Sequence, residues 1–377
     1  MRIVVAMSGG VDSAVTAGLL AAFGHEVVGV TLQLYESGPR RHRGACCAGE
    51  DIHDARRVAD HLGIPHYVID AQARFRSAVL EDFAAAYARG ETPVPCVRCN
   101  QSVKFTDLFS LARDLGAEAL ATGHYVRRLD GPAGPELHRA RDLARDQSWF
   151  LFALTRAQLA FCRFPLGDMP DKQAVRAEAA RLGLPVAAKP DSQDLCFAPD
   201  GDYASVVGRL SPGALAPGEI VAADGRVLER HRGIARYTVG QGKRLGRARI
   251  SEGERQVVVA LDAERRRVIV GPPRTGTRHV PLTDVNWLIA PPRHPLRVSV
   301  KLRAREVPQH ATLFADRAEV LLDAPALPAP GQACVFYEGE RVLGGGFIRR
   351  PIDLPLPVRE MVLEADHGRP AHPAASL

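Results

Sequence analysis

The strongest chemical motif in the sequence is the run Ser8-Gly9-Gly10-Val11-Asp12-Ser13, which follows the short apolar segment 3–7. Two glycines allow a tight turn that brings bare backbone amides close to an anion, and the helix predicted from Asp12 onward adds its positive N-terminal end. The run lacks the Gly-Lys-Ser/Thr ending of a Walker loop. We therefore expect it to hold pyrophosphate as a leaving group, with Asp12 organising a magnesium ion or capping the helix.

Seven cysteines in an uneven pattern favour metal-binding or catalytic thiols over a disulfide framework. Cys96 and Cys99 lie in a proline-rich segment that we interpret as a loop, and Cys196 lies far downstream. Three interpretations remain open: half of a zinc site, an iron–sulfur cluster, or a redox-active pair formed by Cys99 and Cys196 that handles sulfur. We favour the redox pair, and we expect Arg98 to lower the pKa of Cys99.

The other cysteines and two polar segments have weaker signals. Cys162 and Cys334 lie in apolar stretches and are expected to pack in a core, whereas Cys46 and Cys47 follow the basic segment 40–43. That basic segment fits either a loop facing RNA or a sulfur donor, or simply solvated charge. The segment 145–150 mixes donors with aromatic rings, which suits a splayed base or an exposed helix start. The basic segments suited to phosphates are 237–246 and 301–305.

Composition limits the possible partners and the compartment. Lys and Arg total 49 against 43 acidic residues, giving a formal charge of +6, which permits a polyanionic partner. There is no apolar run long enough to span a membrane and no secretory signal at the start, so we expect a cytoplasmic protein.

The elements that must position these residues change character along the chain. The first part, assigned to residues 1–205, alternates strand-like and helical periods, which predicts a parallel sheet with ligands at the carboxyl ends of its strands. Beyond about Tyr203 the long helical periods disappear, and short valine-rich runs alternate with turns in the regions 211–272 and 278–353. Residues 365–377 are expected to form a frayed tail.

Several ordered motifs together resemble the tRNA-specific 2-thiouridylase family. The resemblance covers nearly the whole chain and rests on the segments 8–13, 95–105, 121–125, 146–148, 191–197, 237–246, 330–332 and 344–346. It implies an α/β fold class: a Rossmann-like PP-loop domain with a parallel sheet, then a small central β-rich domain and a C-terminal β-barrel. It also implies ATP-dependent 2-thiolation of the wobble uridine in the Lys, Glu and Gln tRNAs, with release of AMP and pyrophosphate.

The resemblance also implies roles for individual residues. Cys196 is expected to carry a persulfide and Cys99 to be the nucleophile that frees its sulfur, with Asp12 at the ATP site. The expected ATP-binding residues are Ala6, Met7, Ser8, Gly9, Gly10, Val11, Asp12, Ser13, Leu32 and Gly123. The residues expected to approach the tRNA are His124, Arg145, Asp146, Gln147, Arg303, Ala304 and Gln332. The implied cofactors and partners are ATP, Mg²⁺, tRNA and a sulfur-donor protein.

Departures from the family pattern keep alternatives open. Many members have Asp at the position of Cys96 and Tyr at that of Ala304, and the charges of the 241–246 run are shifted. The additional thiol allows Cys96, Cys99 and Cys196 to hold a [4Fe–4S] cluster that leads to the same product. Other hypotheses are a PP-loop ligase that adenylates its substrate for attack by nitrogen, and an RNA-binding protein with a structural metal.

Overall fold

The computed structural model describes residues 1–35, 49–191, 195–198, 201–251 and 253–350. The sequence predictions for 40–43, Cys46, Cys47 and the tail 365–377 concern positions outside the described residues. Within the ranges described, no helix is both long enough and apolar enough to cross a membrane.

The strands are numbered in chain order. They are β1 (Arg2–Ala6), β2 (Glu26–Gln33), β3 (His66–Asp70), β4 (Ala119–Ala121), β5 (Val126–Gly131), β6 (Gly134–Arg139), β7 (Cys162–Arg163), β8 (Gly218–Ala222), β9 (Val227–His231), β10 (Ile250–Ser251), β11 (Glu254–Arg255), β12 (Val257–Asp262), β13 (Arg267–Gly271), β14 (Thr277–Trp287), β15 (Leu296–Lys301), β16 (Gln309–Phe314), β17 (Glu319–Ala326), β18 (Ala333–Glu338) and β19 (Arg341–Ile348).

Most of the helices lie in the N-terminal part. They are α1 (Val11–Ala22), α2 (Gly49–Leu62), α3 (Gln72–Phe75), α4 (Asp82–Ala88), α5 (Pro95–Cys99), α6 (Phe105–Asp114), α7 (Arg156–Phe161), α8 (Lys172–Arg181) and α9 (Tyr203–Leu210). Two π-helical turns, Arg76–Glu81 and Asn100–Lys104, join α3 to α4 and α5 to α6. Short 3₁₀ helices cover Ser148–Phe150, Pro212–Leu215, Ile234–Arg236 and Gly246–Arg249.

The N-terminal sheet confirms the predicted Rossmann-like architecture. Its strand order is β3-β2-β1-β4-β7, and every pairing within it is parallel. The chain winds outward from β1 in one direction through β2 and β3, and in the other direction through β4 and β7. The order therefore reverses between β1 and β4, and ligands of such sheets bind at the carboxyl ends of the strands at this switch point.

Both faces of this sheet are buried, as the apolar run in β1 requires. Ile3 and Val5 face a core shared with α1, α2 and α8, whereas Val4 faces the opposite core, which is shared with α5 and α6. Successive side chains of a strand point to opposite faces, so a strand covered on both sides must be apolar throughout. The sheet is thereby held rigidly between two helical layers.

The central module is a small mixed sheet with the order β12-β13-β8-β9. Strands β13 and β8 are parallel, and the other two pairings are antiparallel. Its own core includes Ile220, Val258 and Val268 and the adjacent Tyr237. The β-rich character predicted for this region is confirmed.

The C-terminal module is a closed antiparallel barrel of six strands. The pairing order β14-β17-β16-β15-β18-β19 closes because β14 also pairs with β19. Closure leaves no free strand edge within the ring. The β5–β6 hairpin of the N-terminal region adds to this sheet through the pairing of Leu137 with Val342. The barrel is therefore joined directly to the Rossmann-like domain that precedes it.

A short helix lies where the character of the chain changes. Helix α9 runs from Tyr203 to Leu210, and strands and short 3₁₀ helices follow it in the described residues. The Asp202 side chain accepts a hydrogen bond from the Ser205 amide, and Val207 packs with Phe83 and Tyr87. Helix capping and burial of one apolar face explain this helix. Position 205, the predicted end of the first domain, lies inside it, and the exact domain limits stay predictions.

Barrel closure predicts a specific sensitivity at Gly344. This residue has φ +148, and a Cβ there would overlap the Asn286 carbonyl oxygen of the facing strand. We expect Gly344→Ala to lower the free energy of unfolding by about 3–4 kcal/mol, from backbone strain and overpacking together. Gly339→Ala is the matched control, since Gly339 has φ +57 but open space around it.

The control should cost only about 1 kcal/mol, from the left-handed backbone alone. Urea unfolding of the three proteins measures the difference. Equal losses in Gly344→Ala and Gly339→Ala would contradict the role assigned to the close approach.

Candidate active site

The loop after β1 has the geometry of an anion-binding turn. Gly9 has φ +75, and a Cβ on it would overlap the Asp51 carbonyl oxygen, so only glycine fits there. The Ser8 amide donates to Ser13 Oγ at 3.1 Å, and that hydroxyl donates to the Gly10 carbonyl at 3.1 Å. These bonds fix the turn immediately before α1, whose first amides have no acceptor within the helix. The arrangement suits phosphate oxygens.

Gly123 closes the other side of this loop. It follows β4, the strand beside β1, and its α-carbon packs so closely on α1 that a Cβ would come within 2.9 Å of the Ser13 nitrogen. Met7 is buried and its amide donates to the Val30 carbonyl at 2.8 Å. Leu32 is buried in the core at the end of β2. The structure thus gathers the residues from Ala6 to Ser13 with Gly123 at the switch point, and holds Leu32 on the adjacent strand.

Asp12 is engaged in an ion cluster that no sequence motif indicated. The Lys172 ammonium donates to both Asp12 carboxylate oxygens at 2.7 and 2.8 Å and pairs with Asp191 at 2.9 Å. The Tyr125 hydroxyl donates to Asp12 at 2.6 Å. Only 10% of the Lys172 side chain is exposed. The phosphate loop is therefore tied to Asp191, which begins the segment leading to Cys196.

Two arginines surround the far end of this cluster. Arg145 donates to Asp191 at 3.0 Å, and Arg176 donates to Asp191 at 3.0 Å and also to the Lys189 carbonyl. Burial by itself would raise the pKa of Asp191, but the hydrogen bonds and charges of Lys172 and Arg145 outweigh it and hold the pKa below the usual Asp range. Asp191 therefore stays a carboxylate at neutral pH.

A second lysine lies under the glycine turn. Lys189 Nζ donates to the Gly9 carbonyl at 3.0 Å and to Asp54 at 2.7 Å, and it also pairs with Asp51. Burial would lower the pKa of Lys189, but its carboxylate partners outweigh that effect and raise it. The positive charge beside the turn is thereby permanent. Neither Lys172 nor Lys189 carries a local sequence signal, because each contacts a loop more than 150 positions away in the chain.

Cys99 is not in a loop, so that expectation is wrong. Pro95–Cys99 is helix α5, since proline is favourable at the first helical position. The Cys99 side chain belongs to the core below the sheet and is only 4% exposed. Burial raises its pKa, and the positive charge of Lys104 offsets only part of that rise. The thiol form is therefore favoured in this conformation.

Arg98 does not have the effect on Cys99 that the sequence suggested. Its guanidinium donates to Asp284 at 2.9 Å and lies 3.9 Å from the centre of the Phe347 ring in the barrel. Successive residues of a helix point in different directions, so Arg98 and Cys99 face different surroundings. Arg98 thus joins α5 to the barrel.

The remaining thiols differ widely in exposure. Cys96 is exposed, whereas Cys196 is partly exposed and packs against the same core as Cys99. Cys162 and Cys334 are buried, which confirms the packing prediction, and burial raises the pKa of Cys162 to about 12. Among the described residues, no group of three or more His, Cys, Asp or Glu side chains is arranged to hold a metal ion.

Four residues expected near tRNA belong to the N-terminal domain, one directly after Gly123 and three in the segment 145–147. His124 Nδ1 and Thr122 Oγ1 share a hydrogen bond of 2.8 Å. Burial lowers the pKa of His124 to about 3, so its ring is neutral at physiological pH. Gln147 Oε1 accepts from the Tyr125 amide at 2.9 Å. Arg145 is exposed, while the Asp146 side chain is 1% exposed. Of the four, Arg145 thus has the most accessible side chain.

The segment 145–150 is neither an exposed helix start nor an aromatic platform. Trp149 is buried, and its indole nitrogen donates to the Lys301 carbonyl at 3.3 Å. Asp146 accepts from Arg139 at 3.1 Å and from the Ser148 amide at 3.1 Å. A carboxylate this deeply buried requires such partners. The segment therefore joins the N-terminal domain to the barrel.

The three other expected tRNA contacts lie in the C-terminal module. Arg303 donates to the carbonyls of Val239 and Leu327 and pairs with Glu306 at 2.8 Å. Ala304 is partly buried against the core. Gln332 Nε2 donates to the Thr92 carbonyl at 2.9 Å, close in sequence to Cys96. These residues join modules, and their part in tRNA binding stays a prediction.

The fold and this site define a class: a Rossmann-like α/β domain with a phosphate-binding turn at its switch point and a β-barrel attached. Family models match three consecutive regions. They are a tRNA methyl transferase HUP domain over residues 1–200, a tRNA methyl transferase PRC-barrel domain over 211–272 and an aminomethyltransferase β-barrel domain over 277–348.

Curated relatives define the family more closely. Several relatives are named tRNA-specific 2-thiouridylase MnmA. The one from Acidiphilium cryptum is 68% identical over 92% of this chain and 100% of that protein. The one from Gluconobacter oxydans is 61% identical over 92% of this chain and 99% of that protein. A third, from Rhodospirillum centenum, is 57% identical over 94% of this chain and 95% of that protein. The chain belongs to the tRNA-specific 2-thiouridylase family.

Removal of the buried Lys172 ammonium should lower the stability of the protein more than removal of an exposed cation. Lys172→Met leaves Asp12 and Asp191 without their shared counter-ion, and we expect the free energy of unfolding to fall by about 2–3 kcal/mol, less than for a fully buried pair because Asp12 is partly exposed. Arg181→Met on the same helix is the control, since Arg181 forms only an exposed pair with Glu178. Urea unfolding at neutral pH should leave the control nearly unchanged.

The free energy of unfolding at low pH provides a second test of the role of Lys172, and one that could contradict it. Because the folded pKa of Asp191 is depressed, its contribution is complete above the ordinary Asp pKa of about 4 and is lost as the pH falls through the folded value. Lys172→Met should flatten this loss. A variant with the wild-type acid profile would show that Lys172 does not stabilise the Asp191 carboxylate.

Thiol burial predicts the order of alkylation. Iodoacetamide at pH 8 should label Cys99 at least roughly tenfold more slowly than Cys96, because the thiolate is the reacting form and Cys99 is buried with a raised pKa. Mass spectrometry of tryptic peptides measures both rates, with buried Cys162 and Cys334 as unreactive references. Equal labelling of Cys96 and Cys99 in the folded protein would contradict the burial of Cys99.

Proposed function

We propose that this protein uses ATP to 2-thiolate the wobble uridine of the Lys, Glu and Gln tRNAs. The observation that carries the proposal is the ion cluster in which Lys172 joins Asp12 of the phosphate loop to Asp191. Asp191 lies five positions before Cys196. The loop that would bind ATP is thus joined to the segment of Cys196, the thiol that would deliver sulfur.

The first step is activation of the base. The 2-carbonyl oxygen of uridine attacks the α-phosphorus of ATP, and pyrophosphate leaves. The oxygen, a poor leaving group by itself, can then depart as part of AMP. The glycine turn between Ser8 and Ser13, with Gly123 beside it, would hold the departing pyrophosphate through backbone amides and the N-terminus of α1. Lys189, which donates to the Gly9 carbonyl and pairs with Asp51 and Asp54, holds that turn in shape.

Magnesium fits the donor chemistry of the same place. Mg²⁺ is usually held by one or two carboxylates together with substrate phosphates, and Asp12 supplies a partly exposed carboxylate beside the turn. The ion would neutralise phosphate charge when bound. In the described conformation both Asp12 oxygens accept from Lys172, so the ion must share or displace that partner.

The second step transfers sulfur. The terminal sulfur of a Cys196 persulfide bonds to C2 of the activated uridine, and AMP leaves. The Cys99 thiolate then attacks the Cys196 sulfur, the bond to the transferred sulfur breaks, and 2-thiouridine and a Cys99–Cys196 disulfide result. The disulfide requires the two α-carbons to lie within about 7 Å, and the Cys99 thiol, which is buried in this conformation, must become accessible for the step.

The partners follow from the reaction. The tRNA would contact the side of the domain that carries His124, Arg145 and Gln147, with Arg303 and Gln332 contributing from the C-terminal module. A sulfur-donor protein must reload Cys196, whose partial exposure would permit this. We infer action in the cytoplasm, where tRNA is modified.

The test is nucleoside mass spectrometry of unmodified glutamate tRNA incubated with protein, ATP, magnesium and a persulfide source. Wild type should replace one oxygen of the wobble uridine by sulfur, whereas Cys99→Ser and Cys196→Ser should lose the product because each removes one sulfur of the required pair. Cys162→Ser is the control for removal of a thiol outside the site.

Two other results have distinct meanings. Product formed only after anaerobic reconstitution of a cluster would replace the persulfide route with the iron–sulfur route. Full product in both Cys99→Ser and Cys196→Ser would refute the two-thiol mechanism and favour an adenylating ligase.

A further inference from the structure

Cys96 and Cys99 share one turn of helix but face different environments. Cys96, next to Pro95 at the start of α5, is exposed, whereas Cys99 is buried in the core. The two thiols lie three positions apart on the same helix, so an exposed sulfur and an enclosed sulfur are neighbours in this structure.

We propose that Cys96 is a resolving thiol that takes over the disulfide left by each sulfur transfer and presents it to an external dithiol reductant. The inference rests on the proposed function, because that function produces the Cys99–Cys196 disulfide. It adds a third residue with a distinct task, separate from delivery of sulfur to the base.

The exchange balances without any further oxidant. The Cys96 thiolate attacks the sulfur of Cys99, a Cys96–Cys99 bond forms, the Cys99–Cys196 bond breaks, and Cys196 leaves as a thiolate. A dithiol then reduces the Cys96–Cys99 disulfide by two electrons and is itself oxidised to a disulfide. Cys196, released as a thiolate, can accept the next persulfide sulfur before that reduction is complete.

Helix geometry permits the exchange. Side chains three residues apart on a helix have Cβ atoms about 5–6 Å apart, whereas a disulfide needs about 3.5–4.5 Å. The pair must therefore approach by an ångström or two. Cys96 lies at the second position of α5, where amides lack intrahelical acceptors, and the π-helical turn Asn100–Lys104 begins directly after Cys99. Irregular turns of this kind often lie at functional sites.

The exchange would make the disulfide more accessible to a reductant. An incoming dithiol must reach one sulfur of a disulfide in line, and Cys99 is almost fully enclosed among residues such as Val97 and Phe105. Cys96 lies at the surface. Transfer of the disulfide to Cys96 therefore moves the reducible bond away from enclosed Cys99 and partly exposed Cys196, to a pair with one exposed sulfur that a protein reductant can approach more easily.

A single-turnover experiment tests the inference. Protein loaded with persulfide on Cys196 is mixed with ATP, magnesium and unmodified glutamate tRNA without reductant, then quenched with acid, alkylated with N-ethylmaleimide and digested with trypsin. Cleavage after Arg98 separates the peptide 90–98, with Cys96, from the peptide 99–104, with Cys99. A mass for these two peptides joined, with alkylated Cys196, is the expected wild-type result.

The variants Cys96→Ser and Cys96→Ala should instead retain the Cys99–Cys196 link. With a thioredoxin-type dithiol protein as reductant, their steady-state rate of 2-thiouridine formation should fall roughly tenfold or more, because access limits the exchange. A small phosphine reductant should restore much of the rate in the same variants, which a purely structural defect would not allow.

Two results would overturn the inference while leaving the proposed function intact. One is a wild-type map in which thiolated tRNA accompanies a Cys99–Cys196 link and alkylated Cys96. The other is loss of the first turnover in both Cys96 variants, which would place Cys96 in sulfur transfer or metal binding. Absence of 2-thiouridine from the wild-type reaction would refute the proposed function itself and remove the disulfide on which the inference depends.

Discussion

A single buried ammonium group, that of Lys172, holds the site together. It lies between Asp12, on the first turn of the helix after the phosphate loop, and Asp191, on the segment toward Cys196. Two carboxylates cannot lie this close in a poorly solvated place unless cations offset them, and Arg145 and Arg176 complete the balance at Asp191. Any charged ligand at the loop must compete within this cluster, which couples the phosphate-binding turn to the sulfur-bearing segment.

The same rule governs how the modules assemble. Asp146 is almost fully buried and draws Arg139 of the β5–β6 hairpin and the more distant Lys301 of the barrel toward it. Arg98 reaches the barrel through Asp284 and Phe347. The helix that carries Cys96 and Cys99 consequently contacts the barrel as well as the N-terminal core. The partners of Asp146 and Arg98 hold the barrel against the N-terminal domain, because buried charged groups require partners. Apolar side chains fill the space between the two modules.

Burial divides the thiols into three kinds. Cys162 and Cys334 are enclosed in strands and serve packing. Cys99 is enclosed as well, but it lies where a regular helix gives way to a π-helical turn, so a local shift can release it. Cys96 and Cys196 reach the surface to different degrees. A thiol kept protonated in the core is protected from oxidation, and this protection would suit the nucleophilic role proposed for Cys99.

The sequence by itself determined the phosphate loop, the parallel sheet, the β-rich second half and the family, because glycine pairs, apolar runs and ordered motifs are local signals. The tertiary structure decided what depends on distant partners. Lys172 meets Asp12 across 160 positions, and nothing near Lys172 marks it as a counter-ion. Prolines suggested a loop around Cys99, yet Pro95 begins a helix, and burial then raised the pKa that Arg98 was expected to lower. Charge pairing and desolvation are properties of position in space, which spacing along the chain does not encode.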